Sequence, residues 1–159
     1  MKITVLCVGR IKEKFFTQAI SEYEKRLGRY CQLQIVEVSD EKTPEKASEK
    51  EEQMIKEKEG ERLLGKMKDD MYVITLDLRG KQPDSVALAQ KLKKITTYQS
   101  SHIAFVIGGS LGLSDAVLKR ADESVSFSNL TFPHQLMRVI LLEQIYRCFR
   151  INAGEPYHK

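Results

Sequence analysis

HIAFVIGGSLGLS, residues 102–114, is the stretch whose reading decides the fold. Ile103–Ile107 is unbroken apolar sequence, and it stops at two glycines. A short apolar run bounded by turn residues suits a buried strand, here predicted over 102–109. Working outward, KITVLCVG (2–9) has the same character, MYVITLD (71–77) is a third strand, and ESVSFS (123–128) a last one. CQLQIVEVS (31–39) alternates apolar and polar residues, as a strand with one covered face does. Helical spacing lies between them: Lys12–Leu27, a turn at LRGKQPD followed by a helix to Tyr98, a short helix over 114–120, and a final helix from Pro133 to Ile151. Strands alternating with helices predict an α/β fold, a mainly parallel sheet with helices on both faces, within a single domain over 1–159.

Residues 41–70 hold ten acidic and eight basic side chains, thoroughly mixed. Mixed signs suit a solvated helix, predicted over 44–66 with Ala47, Met54, Ile55, Leu63 and Leu64 as a thin apolar stripe. The last helix is the opposite case. Its apolar residues spread around most of the circumference, broken by Arg138, Glu143, Gln144, Arg147 and Arg150. Such a helix must be covered on more than one side, and a second copy of the chain is the natural cover.

Bulk properties narrow the function classes. No apolar run approaches the ~20 residues that cross a bilayer, and the N-terminus lacks a signal-peptide pattern, so no membrane association and a cytoplasmic location are expected. Cys7, Cys31 and Cys148 form no C-x-x-C pair, and His102, His134 and His158 no H-E-x-x-H. A metal site is not expected, and Cys7 and Cys148 read as small core hydrophobes. The net charge of +4 is a mild bias towards polyanions.

In open parallel sheets ligands bind beyond the carboxyl ends of the strands. The qualifying segments are LDLRGK (76–81), IGGSLGLS (107–114) and SFSNLTFPH (126–134). GGSLG matches the nucleophile elbow G-x-S-x-G, and Ser110, Asp122 and His134 could be drawn as a triad. The chain is short for that fold and has no oxyanion motif of the HGGG kind. Neither dinucleotide nor P-loop fingerprints are present. Three glycines in five residues instead suggest a flat ligand, such as an adenine, lying against main chain.

VGRIK, LDLRGK, FVIGGSLGLS, SFSNLTFPHQLMRVILLEQIYR and the terminal PYHK occur in that order. Together they resemble the small bacterial ribosomal RNA large-subunit methyltransferase H family, of the SPOUT class, along the whole chain. The resemblance implies a SPOUT-type fold with a C-terminal trefoil knot, a homodimer, and S-adenosyl-L-methionine (S-adenosylmethionine) as cofactor. It implies methylation of N3 of a pseudouridine in large-subunit (23S) ribosomal RNA on the assembled ribosome. Carried over by motif, the cofactor would touch Leu76, Gly108, Phe127, Ser128, Asn129, Leu130, Thr131 and Phe132. Ser110 departs from the proline expected in many relatives.

The tail then acquires roles. His158 has the pKa range of a proton acceptor, Tyr157 could stack on or hydrogen-bond the base, and Lys159 could hold phosphate. The tail is expected to order over bound RNA. Arg10, Lys12, Arg138 and Arg147 are further candidates for RNA contact, although Arg147 could instead pair with Glu143. Two alternatives stand beside this reading: a non-catalytic RNA-binding ribosome-assembly module, and a SPOUT methyltransferase acting on tRNA.

Overall fold

The computed structural model describes residues 1–159. Five parallel strands, β1 (Lys2–Val8), β2 (Gln32–Val38), β3 (Tyr72–Lys81), β4 (His102–Ile107) and β5 (Glu123–Val125), lie in the order β2-β1-β4-β3-β5. The helices are α1 (Lys14–Leu27), α2 (Glu49–Leu64), α3 (Ser85–Tyr98), α4 (Asp115–Arg120) and α5 (His134–Asn152). The predicted parallel α/β sheet is the one observed. No helix is long and apolar enough to cross a membrane.

The period-two alternation of strand side chains divides the core. Ile3, Val5, Cys7, Ile103, Phe105 and Ile107 face α1, α3 and α5, packing with Ile20, Leu92, Leu141 and Ile145. Leu6, Val8, Ala104 and Val106 face α2 and α4, packing with Leu63 and Val117. β4 is buried along its whole length, which is why its sequence shows no polar face. Fully burying one such side chain is worth about 1.5–3 kcal/mol.

Several boundaries differ from the predicted ones, four of them instructively. α1 begins at Lys14 instead of Lys12. α2 begins at Glu49, where the Ser48 hydroxyl accepts from Glu51 N–H and the Glu51 carboxylate accepts from Ser48 N–H. This reciprocal cap fixes the start and leaves residues 41–48 outside the helix. β5 ends at Val125, because Ser126–Ser128 leave the sheet. β3 does not end at 77: it bulges over Asp77–Arg79 and rejoins β5 through Lys81, whose carbonyl accepts from Ser126 N–H at 2.8 Å.

α5 packs against α1 and α3 and against the sheet, with Leu141, Leu142, Ile145 and Cys148 fully buried. Its chain covers more of it than the sequence suggested, because the C-terminal residues turn back along it: Tyr157 packs edge-on against Tyr146, ring centroids 5.0 Å apart. Leu136, Val139 and Ile140 remain partly exposed.

Candidate active site

The three loops predicted to converge do so. They enclose a cleft of about 970 Å³ whose wall is built from Leu76–Arg79, Ile107–Leu113, Val125–Ser128 and Leu130–His134, with Met137 and Lys56. The β3 bulge supplies one side. It is held by Arg79, whose backbone N–H and guanidinium both donate to the Asp77 carboxylate, at 2.8 Å and 3.1 Å. Those bonds hold the Asp77 carboxyl below the ordinary carboxylate range. After the neighbouring β5, Ser126 Oγ donates to Ser128 O, and Leu130 N–H to Ser128 Oγ, so residues 126–130 fold on themselves.

Leu76, Gly108, Phe127, Ser128, Leu130, Thr131 and Phe132 all line this cleft. Asn129 does not: it is exposed, and its Oδ1 accepts from Gln82 Nε2 at 2.6 Å, tying the loop to the segment before α3. The glycines have reasons internal to the loop. A Cβ on Gly108 would lie 2.9 Å from the carbonyl carbon of Gly112, and Gly112 adopts φ +89°. They permit a tight strand-to-helix turn, and flat-ligand contact is not needed to explain them.

The hydrolase triad is absent. Asp122 accepts from Val73 N–H at 2.7 Å, at the far end of β3, while Ser110 and His134 line the cleft.

Lys56 escaped the site reading of the sequence, and His134, which lies in a predicted segment, was given no role in methyl transfer. Lys56 reaches the cleft from α2, one turn before Gly60, which packs directly on Ser114 at the start of α4. That glycine inside a charged helix was the available signal. His134, the first residue of α5, lies between the cleft and the end of β1: a Cβ on Gly9 would meet His134 Cε1 at 3.8 Å and Asp40 at 3.9 Å. Its Nδ1 is buried without a partner. Burial and the neighbouring Arg138 hold its pKa below the ordinary histidine value, against an opposing pull from Asp40.

Comparison with known families bears on this geometry. Residues 1–158 match the family described as predicted SPOUT methyltransferases. The chain belongs to the SPOUT methyltransferase family. It is 61% identical over 159 residues to the ribosomal RNA large subunit methyltransferase H of Clostridium novyi (strain NT), and 62% identical over 159 residues to that of Bifidobacterium adolescentis. Each alignment covers 100% of both chains. Among solved structures, a probable methylase family protein from Haemophilus influenzae Rd KW20 superposes with TM-score 0.55 at 15% identity, covering 99% of this chain and 70% of that one. That likeness concerns the fold.

The other predicted residues lie around this SPOUT cleft in three settings. The tail is docked against α5. Glu155 pairs with Arg150 at 2.9 Å and accepts from Tyr30 Oη, and Tyr157 Oη donates to Glu143 at 3.1 Å. Burial, then the Glu143 carboxylate, raises the Tyr157 pKa. His158 Nδ1 lies 3.1 Å from Arg147 Nη1, on a second, smaller cleft of about 440 Å³. Phe127 is a wall common to both clefts, so the tail flanks the larger one without entering it. Arg10, Lys12 and Lys159 are exposed. Arg147 donates twice to Glu143, at 2.6 Å and 3.1 Å, as the i,i+4 spacing allowed.

Arg138 is a correction. Its side chain is 2% exposed, and its guanidinium donates to Glu37, to Gly9 O at 2.7 Å and to Val8 O at 3.3 Å. It anchors α5 to the ends of β1 and β2 and presents nothing to RNA. The sequence hid this because its partners lie about 100 or more residues away.

Proposed function

We propose that the chain methylates N3 of a pseudouridine in large-subunit ribosomal RNA on assembled ribosomes, with S-adenosylmethionine as donor, in the cytoplasm. The observation that carries this reading is the convergence of residues 76–79, 107–113 and 125–134 on one cleft. Full-length relatives named for ribosomal RNA methylation and the five ordered motifs supply the substrate class.

The cleft residues fit the donor. Leu76, Ile107, Phe127 and Phe132 offer apolar walls to an adenine, and Lys56 and Asp77 offer both signs of charge to a zwitterionic amino-acid end. Leu76, Gly108, Phe127, Ser128, Leu130, Thr131 and Phe132 hold it, while Asn129 acts through Gln82 to fix the loop. When bound, the donor supplies a methyl group already electrophilic on its sulfonium. The chain's task is then to bring the acceptor nitrogen into line, and orientation can supply several of the roughly 7–11 kcal/mol available from proximity.

Tyr157 and His158 serve the acceptor from the Phe127 side. Arg10, Lys12, Arg147 and Lys159 contact phosphate and position the RNA without reading its sequence. A second copy of the chain covers Leu136, Val139 and Ile140, making a homodimer, and α5 closes a trefoil knot. Methyl transfer from tritiated S-adenosylmethionine to ribosomes of a deletion strain, with mass mapping of both RNA classes, tests the reading. Label in tRNA would move the substrate to tRNA, and absence of donor binding by calorimetry would make the chain a silent RNA-binding module.

A further inference from the structure

His134 is the only histidine in the cleft wall, and its setting is unusual. Nδ1 is buried without a hydrogen-bond partner, which leaves Nε2 as the nitrogen able to meet a bound molecule. The ring stands between the donor loops and the Gly9–Arg10 turn, the side from which a phosphate-contacting Arg10 would bring RNA. Four residues along α5, Arg138 is tied to Gly9 O, Val8 O and Glu37. That buried tie fixes the first turn of α5, and with it the ring, against the end of β1.

From this geometry, and resting on the methyl-transfer reading above, we propose that His134 is a catalytic residue that takes the N3 proton of the acceptor imide. An imide N3–H has no free electron pair until its proton leaves. The proton passes to His134 Nε2, and the nitrogen pair forms the bond to the methyl carbon. The methyl–sulfur pair returns to sulfur, neutralising the sulfonium, and the imidazolium releases its proton to solvent. Facing groups set the balance. Arg138 on α5 disfavours the imidazolium and Asp40, after β2, favours it; burial adds to the first, so the ring is neutral and able to accept at neutral pH. Tyr157 and His158 are left to hold the base.

The test is single-turnover methyl transfer to deletion-strain ribosomes across pH, with His134→Ala and His134→Gln. Positioned proton transfer contributes about 10²–10⁴-fold, so both variants should lose at least ~100-fold in rate while binding S-adenosylmethionine within about twofold of the parent. The parent rate should rise with pH and level off below the ordinary histidine value, and that acid limb should vanish in His134→Gln. A readout independent of activity is carbethoxylation of His134 in the S-adenosylhomocysteine complex, which added ribosomes should block.

An unchanged rate, an unchanged acid limb in His134→Gln, loss confined to donor affinity, or unprotected modification would each overturn the assignment. If His134→Ala unfolds, the volume-preserving Gln variant and the modification experiment decide. A parent protein inactive on ribosomes would refute the methyl-transfer reading itself, whereas an active parent with an active variant refutes His134 alone.

Discussion

Replacing Arg138 with Met separates an anchor from an RNA contact. The substitution keeps the length of the side chain and removes the guanidinium, so Gly9 O and Val8 O lose their Arg138 donor inside the protein. A buried polar group left unsatisfied costs about 1–3 kcal/mol. The 3.3 Å bond to Val8 O is the weaker, so the lower end applies there. Glu37 is 39% exposed on its side chain and rehydrates, so its ion pair adds about 0–1 kcal/mol. Met packing returns part of the loss, giving a net cost of about 2–4 kcal/mol. For a chain of this size that lowers Tm by roughly 4–16 °C. Urea unfolding should show a lower midpoint with an unchanged m-value. Ribosomal RNA affinity of the folded variant should keep its salt dependence, whereas loss of one phosphate contact would flatten the slope of log K against log salt by about 0.7–0.9. An unchanged midpoint together with a flatter slope would refute the anchoring role.

Gly108→Ala should abolish donor binding in calorimetry, because its Cβ would sit 2.9 Å from the Gly112 backbone and displace the loop that lines the cleft; binding within twofold of the parent would contradict that geometry. Deleting residues 156–159 should slow methyl transfer while sparing donor affinity, and an unchanged rate would remove the tail from the reaction. Burial pushes the Cys7 and Cys148 thiols up to about 12, so both should resist iodoacetamide at pH 8 in the native protein, as peptide mapping would read. Burial also raises the Glu59 pKa, with an Oε1 that has no partner. An acid whose folded pKa lies above its unfolded one loses stability as pH rises from the unfolded value through the folded one. Glu59→Gln should therefore flatten the decline in Tm above the ordinary carboxylate range, and an unaltered pH dependence would disprove the linkage.

The strands were legible because burial on both faces writes itself into sequence as an unbroken apolar run, as in Ile103–Ile107 and Val5–Val8. The positions of the site loops followed from strand ends. Less visible were features that depend on partners distant in the chain. Arg138 sits on a helix like any surface arginine until Glu37 and the β1 carbonyls are brought to it by the sheet. Gly80 signals a turn, yet a Cβ there would lie 2.7 Å from the Ser124 and Val125 backbone carbons, so it permits strand rejoining. Ser48 and Glu51 carried a capping signature, but the dense charge around them masked where α2 begins. Lys56 and His134 belong to the cleft only because α2 and α5 converge on it from opposite faces.

That convergence explains why the cleft is where it is. Chain leaving β3 and β5 passes to α3 and α5, on the face that carries α1, whereas chain leaving β4 passes to α4 on the other face beside α2. β4 lies between β1 and β3, so its loop departs in the direction opposite to those of both neighbours. Adjacent loops that part in this way must leave a crevice above the sheet, and backbone at its floor must tolerate close approach. Gly108 and Gly112 supply that tolerance on the β4 side, while the Asp77–Arg79 bulge and the folded 126–130 segment close the β3 and β5 side. Towards the end of β1 stands His134, held by the helix that Arg138 pins to β1. Strand order thus dictates where the crevice forms, between the β4 loop and the loops of its neighbours.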